Sequence, residues 1–575
     1  MIQDVYEPLA RYRDEFRAKF AKLAADKFRE LVEKSGVDAH ANIALVTEIR
    51  RLEKSAEGAK SRMSLWMTLI VLAAAAIVGG LIAAYAIYNG YFACGGAGTA
   101  ISLAVAAGAG LLLFFVFIPK WRAARDEHEA LSRKIAEKKD EAWRQMAPLN
   151  ALYDWDITPK LIEATVPRLA FDPFFTEGRL SELRRRFGWN DEFNAGKSML
   201  FAQSGVINGN PFVFGEYREQ TWGMKTYHGS LHIEWTEFEE DEKGRPRLVR
   251  RSETLRATVD KPIPEYGVDK FLAYGNDAAP DLCFTRHPAG LAELGDGFFD
   301  RMRKNSAMKK LEKFSRNLDD ESQYTMMGNK EFETLFNTRD RNHEVQFRLL
   351  FTALAQTQLL ALMKDRKVGF GDDFSFLKRN RINVILAKHL SEFPIDTDPS
   401  RFYDYDIRRA EATFRSFNEG YFKSVYFALA PLLCVPLYQQ TRTPEDIWKD
   451  AGITPSSFWE HEALANWYGT SHFKAPDCIT ESILKTEVVG ERDGRREVAV
   501  TASGFRGEKR VDYVSVHGGD GNWHDVPVEW VQYIPVSRTT RVNMRDCRGV
   551  SLPQFNGLGS VADRFRRSMV ISCGG

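Results

Sequence analysis

MSLWMTLIVLAAAAIVGGLIAAYAIY (63–88), NGYFACGGAG (89–98) and TAISLAVAAGAGLLLFFVFI (99–118) follow one another without a charged side chain. The first run, at about 1.5 Å per helical residue, is long enough to cross a hydrocarbon core of about 30 Å, and the second just reaches that length. A helix keeps its backbone hydrogen bonds within itself, so lipid can surround it without unsatisfied amides. The stretch is therefore expected to be a transmembrane helical hairpin. Trp66, Tyr85, Tyr88, Tyr91 and Trp121 fall near the expected interfaces, where a ring faces lipid and its polar atom the headgroups.

Orientation is read from basic residues. Lys54, Lys60 and Arg62 precede the first run, Lys120, Arg122 and Arg125 follow the second, and the link between the runs is uncharged. The positive-inside rule puts both termini in the cytoplasm. Small residues recur every fourth position, as Ala76, Gly80 and Ala84 in one run and Ser102, Ala106 and Gly110 in the other. Such stripes let helices approach closely. They are expected either to pack the hairpin on itself or, in addition, to build an oligomer. Neither run holds an ionisable residue, so no ion path or proton relay is expected. A cleaved signal peptide is not expected, because the first apolar run starts at Met63 and is too long.

Outside the hairpin the composition is that of ordinary globular protein, with 27% charged and 44% hydrophobic residues overall. A net charge of +1 gives no bulk field to recruit nucleic acid. The cysteines, at 94, 283, 434, 478, 547 and 573, are scattered with no C-x-x-C pair, against a zinc site or a disulfide scaffold and in keeping with a reducing cytoplasm. No metal and no cofactor is expected.

The fold class that results is an α+β membrane protein. Residues 1–62 are expected to form cytoplasmic stalk helices, 63–118 the hairpin, 119–150 a second stalk helix, 151–440 an α+β domain, and 441–575 a β-rich domain with a tail. In the first segment Val5, Leu9, Tyr12, Phe16, Phe20, Leu23, Phe28 and Leu31 recur at helical spacing. Gly36 stops this helix, and Asp38 caps the next. The segment after the hairpin carries Trp121, Ala124, His128, Leu131, Ile135 and Ala142 near a coiled-coil heptad seam. An antiparallel stalk buries both stripes; the alternative lays the phenylalanine-rich first helix on the membrane surface.

Prolines 148, 159, 167 and 173 place a domain boundary within 148–195. The period then becomes two. Residues 199–207, Asn208-Gly209 and 211–222 read as a hairpin, because Asn-Gly supplies the positive φ of a tight turn. Residues 227–238 and 248–259 read as further strands of an antiparallel module. Helices are expected at 298–318, 344–363 and 404–429, a strand at 382–386, and core at 425–438. Strands recur at 486–491, 495–502, 510–517 and 526–536, with a loosely ordered tail from Arg541.

MGNKEFETLF (327–336), then Asp340-Arg341 and EVQFRLLF (344–351), lead to a leucine-rich helix and to RINVI (381–385). Together with ETLRA (253–257) and YGNDAAPDL (274–282), this pattern resembles the bacterial family of two-span membrane proteins catalogued as domain of unknown function 3137. The resemblance covers residues 171–395 and the hairpin. It implies membership and no activity, cofactor or catalytic residue.

Candidate chemistry is sparse. His461-Glu462 starts like the zinc motif H-E-x-x-H, but Ala465 and Asn466 leave its second ligand missing. His228, His232 and Glu234 share one strand face, but 228 and 232 start about 13 Å apart. Asp372-Asp373 after Gly369-Phe-Gly371 reads as a cation site or as a turn with solvated carboxylates. Arg341 and Arg348 read as an anionic-ligand site or as structural ion pairs with Glu331 or Glu333, with Asp340 a helix cap. A ligand site is looked for at Arg341, Arg348, Asp372 and Asp373. There is no phosphate-loop, nucleophile-elbow or dinucleotide fingerprint, and no catalytic residue is assigned. The leading expectation is a membrane-anchored cytoplasmic protein that binds a protein partner or itself, with the lipid bilayer its other partner and no nucleic acid. The alternatives are an anchored enzyme or ligand sensor with a pocket in the central domain, and an oligomerising, membrane-perturbing effector.

Overall fold

Gly36, with φ +66°, ends the helix Arg17–Ser35, and the Asp38 carboxylate accepts the N–H groups of His40 (2.8 Å) and Ala41 (3.1 Å) to open the next. In this computed structural model of the protein, described at residues 7–89, 95–240, 246–292, 294–295, 297–316, 324–439, 455–492, 495–546, 563–566 and 569–572, that helix runs unbroken over Ala39–Tyr88. Its counterpart continues from Gly95–Leu112 through a π-helical turn, Leu113–Phe117, into Ile118–Asn150. Both are long and apolar enough to cross a membrane. The link's Tyr91 and Cys94 lie outside the described residues.

By its contacts the chain divides into two compact units: residues 25–153 with 399–416, and residues 1–24 with 154–398 and 417–575. In the first unit the two long helices run antiparallel. Arg62 pairs with Glu127 (2.7 Å) and Glu53 with Lys139 (2.6 Å), so one helix's number falls as the other's rises; Lys138, next to Lys139, reaches Glu48 (3.5 Å). Leu45 and Ile49 bury against Ala142, with Ile135 and Tyr405 at the margin. Trp66 lies beside Phe117 (6.0 Å), and Lys120 sits 4.8 Å above the Trp66 ring.

In the second unit, the first helix does not spend its aromatic stripe on a stalk or on lipid. Phe20 is fully buried and stacks on Phe422 (4.4 Å), while Tyr12 and Phe16 pack on Tyr426. Those partners lie on the helix Ile407–Leu433, whose apolar face supplies a better-matched surface than the mixed-charge stalk helices.

Strands β1 (Leu169–Phe171), β2 (Lys197–Ile207), β3 (Asn210–Glu240), β4 (Pro246–Gly275), β5 (Cys283–Arg286), β6 (Phe374–Arg379) and β7 (Ile382–Ala387) form one antiparallel sheet in the order β1-β2-β3-β4-β7-β6-β5. Strands β8 (Ile483–Arg492), β9 (Arg495–His517), β10 (Trp523–Asp546), β11 (Asp563–Arg566) and β12 (Met569–Ser572) form another, ordered β11-β12-β10-β9-β8. The β structure curls into a half-barrel. Asn208 (φ +51°) and Gly209 (φ +77°) make the tight turn between β2 and β3.

Strands that read as short and separate are in fact long. β3 and β4 stay in register from Phe212↔Tyr274 to Glu240↔Pro246, and β9 and β10 from Trp523↔His517 to Arg545↔Arg495. Pro262 and Pro264 do not interrupt β4. Alternate residues present their N–H groups to the same edge, and the ladder with β3 continues past both, so the missing donors lie on the other edge. Toward their tips the hairpins pack on each other. Ile233, Leu255 and Ala257 of one bury against Val526 and Val528 of the other.

The expected break at 441 is not a boundary in the core. The helix Phe458–Tyr468 is buried on most of its faces, its Glu460, His461 and Glu462 included. Its Trp459 joins Phe175, Trp189 and Phe271 beneath β2–β4, and its Leu464, Ala465 and Tyr468 join Leu484, Val500 and Met544 beneath β8–β10. The tail is sheet at 541–546 and 569–572, and residues 547–562, with Cys547, lie outside the described part. The expected helix 344–363 is two, Glu344–Leu350 and Ala353–Lys364, bent by 72°. Thr352, with extended backbone, accepts the Ala355 N–H and starts the second afresh.

Candidate functional site

The pair β6–β7 closes at Phe374↔Ala387, and just beyond it the Lys388 N–H donates to the Asp373 carbonyl (2.9 Å). This places Asp373 beside the short helix Lys388–Glu392. The Asp373 carboxylate accepts the His389 backbone N–H (3.1 Å) and faces ring Nδ1 at 2.6 Å. His389 Nε2 faces the Ser424 carbonyl at 3.1 Å. Both ring nitrogens thus face acceptors.

Phe370 stacks flat on His389, with centroids 4.0 Å apart and planes at 2°, and Lys423 Nζ lies 4.4 Å from the Phe370 centroid. These groups line a cleft of about 530 Å³ together with Arg366, Lys388, Glu392, Phe393 and Gly420. It has an aromatic floor, several cations and two carboxylates. Such a surface suits a small anionic or zwitterionic molecule with a planar part.

The four residues singled out from sequence fall into different surroundings. Asp373 lines the cleft. Asp372 turns the other way, where its carboxylate pairs with the Arg286 guanidinium, both side chains fully buried, and accepts the Ala289 N–H (3.3 Å). Arg286 also donates to the Phe374 carbonyl, which fixes the start of β6. Arg341 is enclosed. It donates to Glu333 (2.9 Å), Glu344 (2.5 Å) and the Thr325 carbonyl (2.7 Å), between the rings of Tyr324 (4.3 Å) and Phe347 (4.1 Å). Arg348 is half exposed and reaches Glu344 at 3.7 Å. Asp340 is not the helix cap: His343 accepts the Gln346 N–H, and Asp340 instead takes the Thr285 N–H (2.9 Å). Of the two acids expected to pair with the arginines, Glu333 holds Arg341, whereas Glu331 holds Lys364 (2.6 Å).

In the hairpin, Gly80, Ala84, Ser102 and Ala106 lie where the two helices meet. A Cβ on Gly80 would stand 3.0 Å from the Ser102 carbonyl and 3.1 Å from Ala106 Cβ, and Gly110 approaches Ile77. Ala76 is exposed; Ala73 takes its place in the contact. Steps of four advance 40° per step around a helix, so a stripe of fours drifts off the seam, while 73, 77, 80 and 84 alternate four and three and stay on it.

His461 and Glu462 are both buried and share no ligand site. Ser456 Oγ donates to Asp546 (2.9 Å) and lies 3.2 Å from His461 Nε2. The acid is on the serine rather than behind the histidine, which does not build a base-activated nucleophile. Burial and Arg496 push His461 down to about 4. Glu462 accepts the Met199 N–H (3.0 Å) and Lys485 (3.2 Å), and burial pushes it up to about 7. His232 bonds Thr254 (3.2 Å) on the exposed face of β3. Among the described residues, no three His, Cys, Asp or Glu converge as a metal site.

Sequence reasoning missed the Asp373–His389 pair and the Glu462–Lys485 pair, both of which join separate elements. It also missed Lys378, buried under the Tyr438 ring (5.6 Å), whose ammonium burial pulls down to about 7. No family model matches the chain, and neither a curated protein nor a solved structure matches it.

Proposed function

We propose that the chain is a two-span membrane-anchored binding protein whose large extramembrane body holds a protein partner or a second copy. The observation that carries this reading is the nakedness of the two apolar helices. Only 11% and 6% of their most apolar windows are buried, and Leu72, Val78, Ile82, Ile101, Phe114 and Phe115 stand exposed. An apolar surface of that length is satisfied by lipid rather than water. The basic residues flanking both spans argue for both termini in the cytoplasm, and the bacterial inner membrane is what the family resemblance implies. The resemblance of residues 171–395 to a family of two-span proteins agrees with this placement. Arg341, Asp372, His461 and Glu462 are each engaged by neighbouring side chains or the backbone inside the body, which favours the body's surfaces as its means of action.

Native mass spectrometry of the gently solubilised protein tests the proposal. A stoichiometric partner or a defined homo-oligomer supports it. A bare monomer, from protein that washes off membranes in alkaline carbonate, contradicts it.

The cleft at His389 favours a second reading, a ligand sensor on the same anchor. A small molecule retained by the native chain and lost in Lys423→Glu would move that reading to first place.

A further inference from the structure

The helix Phe298–Arg316, FFDRMRKNSAMKKLEKFSR, carries seven basic residues against Asp300 and Glu312, a net of +5. Among the described residues it meets the body along one side, with Phe314 at the edge beside Tyr324 (5.4 Å). Leu311 is buried there, Glu312 pairs with Lys330 (2.7 Å), and Lys304 and Met308 look onto the helix Lys330–Phe336. The other face is open. At its start Phe298 is 76%, Phe299 73% and Met302 56% exposed. Along the rest, Arg303, Lys309, Lys310 and Lys313 are exposed and form no ion pair among the described residues. Both acids of the helix are turned partly inward.

We infer that this open face docks on the headgroup region of an anionic bilayer, with Phe298, Phe299 and Met302 entering the acyl boundary and the lysines and arginines meeting lipid phosphates. The inference rests on the anchored reading. Three large apolar side chains next to a one-sided row of cations is the pattern of a helix lying in a membrane interface. Water solvates the cations alone but not the phenylalanines. A groove in another protein would satisfy the phenylalanines, but it would need a matching row of acids. An anionic leaflet offers both on one surface, and the cytoplasmic leaflet is the anionic one. Chain connectivity agrees. No described helix between the second span and Phe298 is long and apolar enough to cross a bilayer, so the helix follows Lys120, Arg122 and Arg125 on the same side. Tethering by the hairpin also raises the effective concentration of the surface, so a weak interfacial contact suffices.

The test uses the full chain in lipid nanodiscs of phosphatidylcholine alone or mixed with phosphatidylglycerol, read by hydrogen exchange. The expected result is amide exchange in 298–316 slowed several-fold in the anionic discs, with high salt reversing most of the effect. The triple variant Arg303→Glu, Lys310→Glu and Lys313→Glu should lose the lipid dependence while exchange in β9 and β10 stays unchanged. Entry into both discs with identical exchange over 298–316 overturns this inference alone. Exclusion from both kinds of disc overturns the anchored reading and the inference with it. Equal protection in both discs, from a protein contact, also counts against the lipid surface.

Discussion

His461 and Glu462, consecutive in the chain and both buried, are driven in opposite directions by the same loss of water: the imidazole down to about 4, the carboxyl up to about 7. Each is therefore neutral inside the core near pH 5.5, while in the unfolded chain each is charged. A depressed histidine contributes stability above its unfolded value and loses it as pH falls from about 6.5 to 4. A raised carboxyl contributes stability below its unfolded value and loses it as pH rises from about 4.5 to 7. Between these limits the two slopes nearly cancel. His461→Gln should therefore expose the carboxyl alone, with stability falling by about 3 kcal/mol from pH 4.5 to 7. Glu462→Gln should expose the histidine alone, with stability rising over a similar range. Denaturant midpoints against pH for the two variants check this; parallel curves would contradict it.

Arg341 is a structural cation. Arg341→Ala leaves the buried Glu333 without its counter-charge and Glu344 with only the half-exposed Arg348 at 3.7 Å, and should cost about 3–5 kcal/mol. Arg341→Met, with a similar shape between Tyr324 and Phe347, removes the same buried charge from the two acids and should be no better. Joining it with Glu333→Gln and Glu344→Gln should recover much of the loss. Urea midpoints of the four proteins decide the matter, and no recovery in the combined variant would contradict this account.

The two long hairpins touch so closely at Gly229 that a Cβ there would stand 2.1 Å from the Pro527 carbonyl. Gly229→Val should part them, costing more than about 2 kcal/mol by overpacking, with faster exchange in both 227–235 and 524–530. Gly267, in β4, faces open space, and Gly267→Ala should be neutral or mildly stabilising.

In the hairpin, Gly80→Leu should destabilise the detergent-solubilised protein by about 1–3 kcal/mol, since its Cβ meets Ser102 and Ala106. Ala76→Leu, on the exposed face, should change stability by less than about 0.5 kcal/mol. Thermal midpoints in one detergent compare them.

What was legible in the sequence was what periodicity and local chemistry encode. The uncharged runs, the Asp38 cap and the Asn208-Gly209 turn are all local signals. The lengths of β3 and β4 were not legible, because Pro262 and Pro264 signal a break unless their edge is known to be free. Nor was the role of Trp459: its helix looks like the start of a new domain until it is seen buried between two sheets. The stripe containing Ala76 shows the limit of a four-residue rule on a helix of 3.6 residues per turn. At the cleft, Asp373 was visible as half of a paired acid, but His389 comes from the far end of β7, and only strand pairing brings the two together.

The most direct test of the anchored topology uses the native cysteines. A membrane-impermeant thiol reagent is added to spheroplasts and the labelled positions are read by mass spectrometry. The account predicts labelling at Cys94 alone, lost in Cys94→Ser, with Cys283 labelled only after the membrane is opened. Labelling of Cys283 in sealed spheroplasts, or none at Cys94 before or after opening, would contradict it.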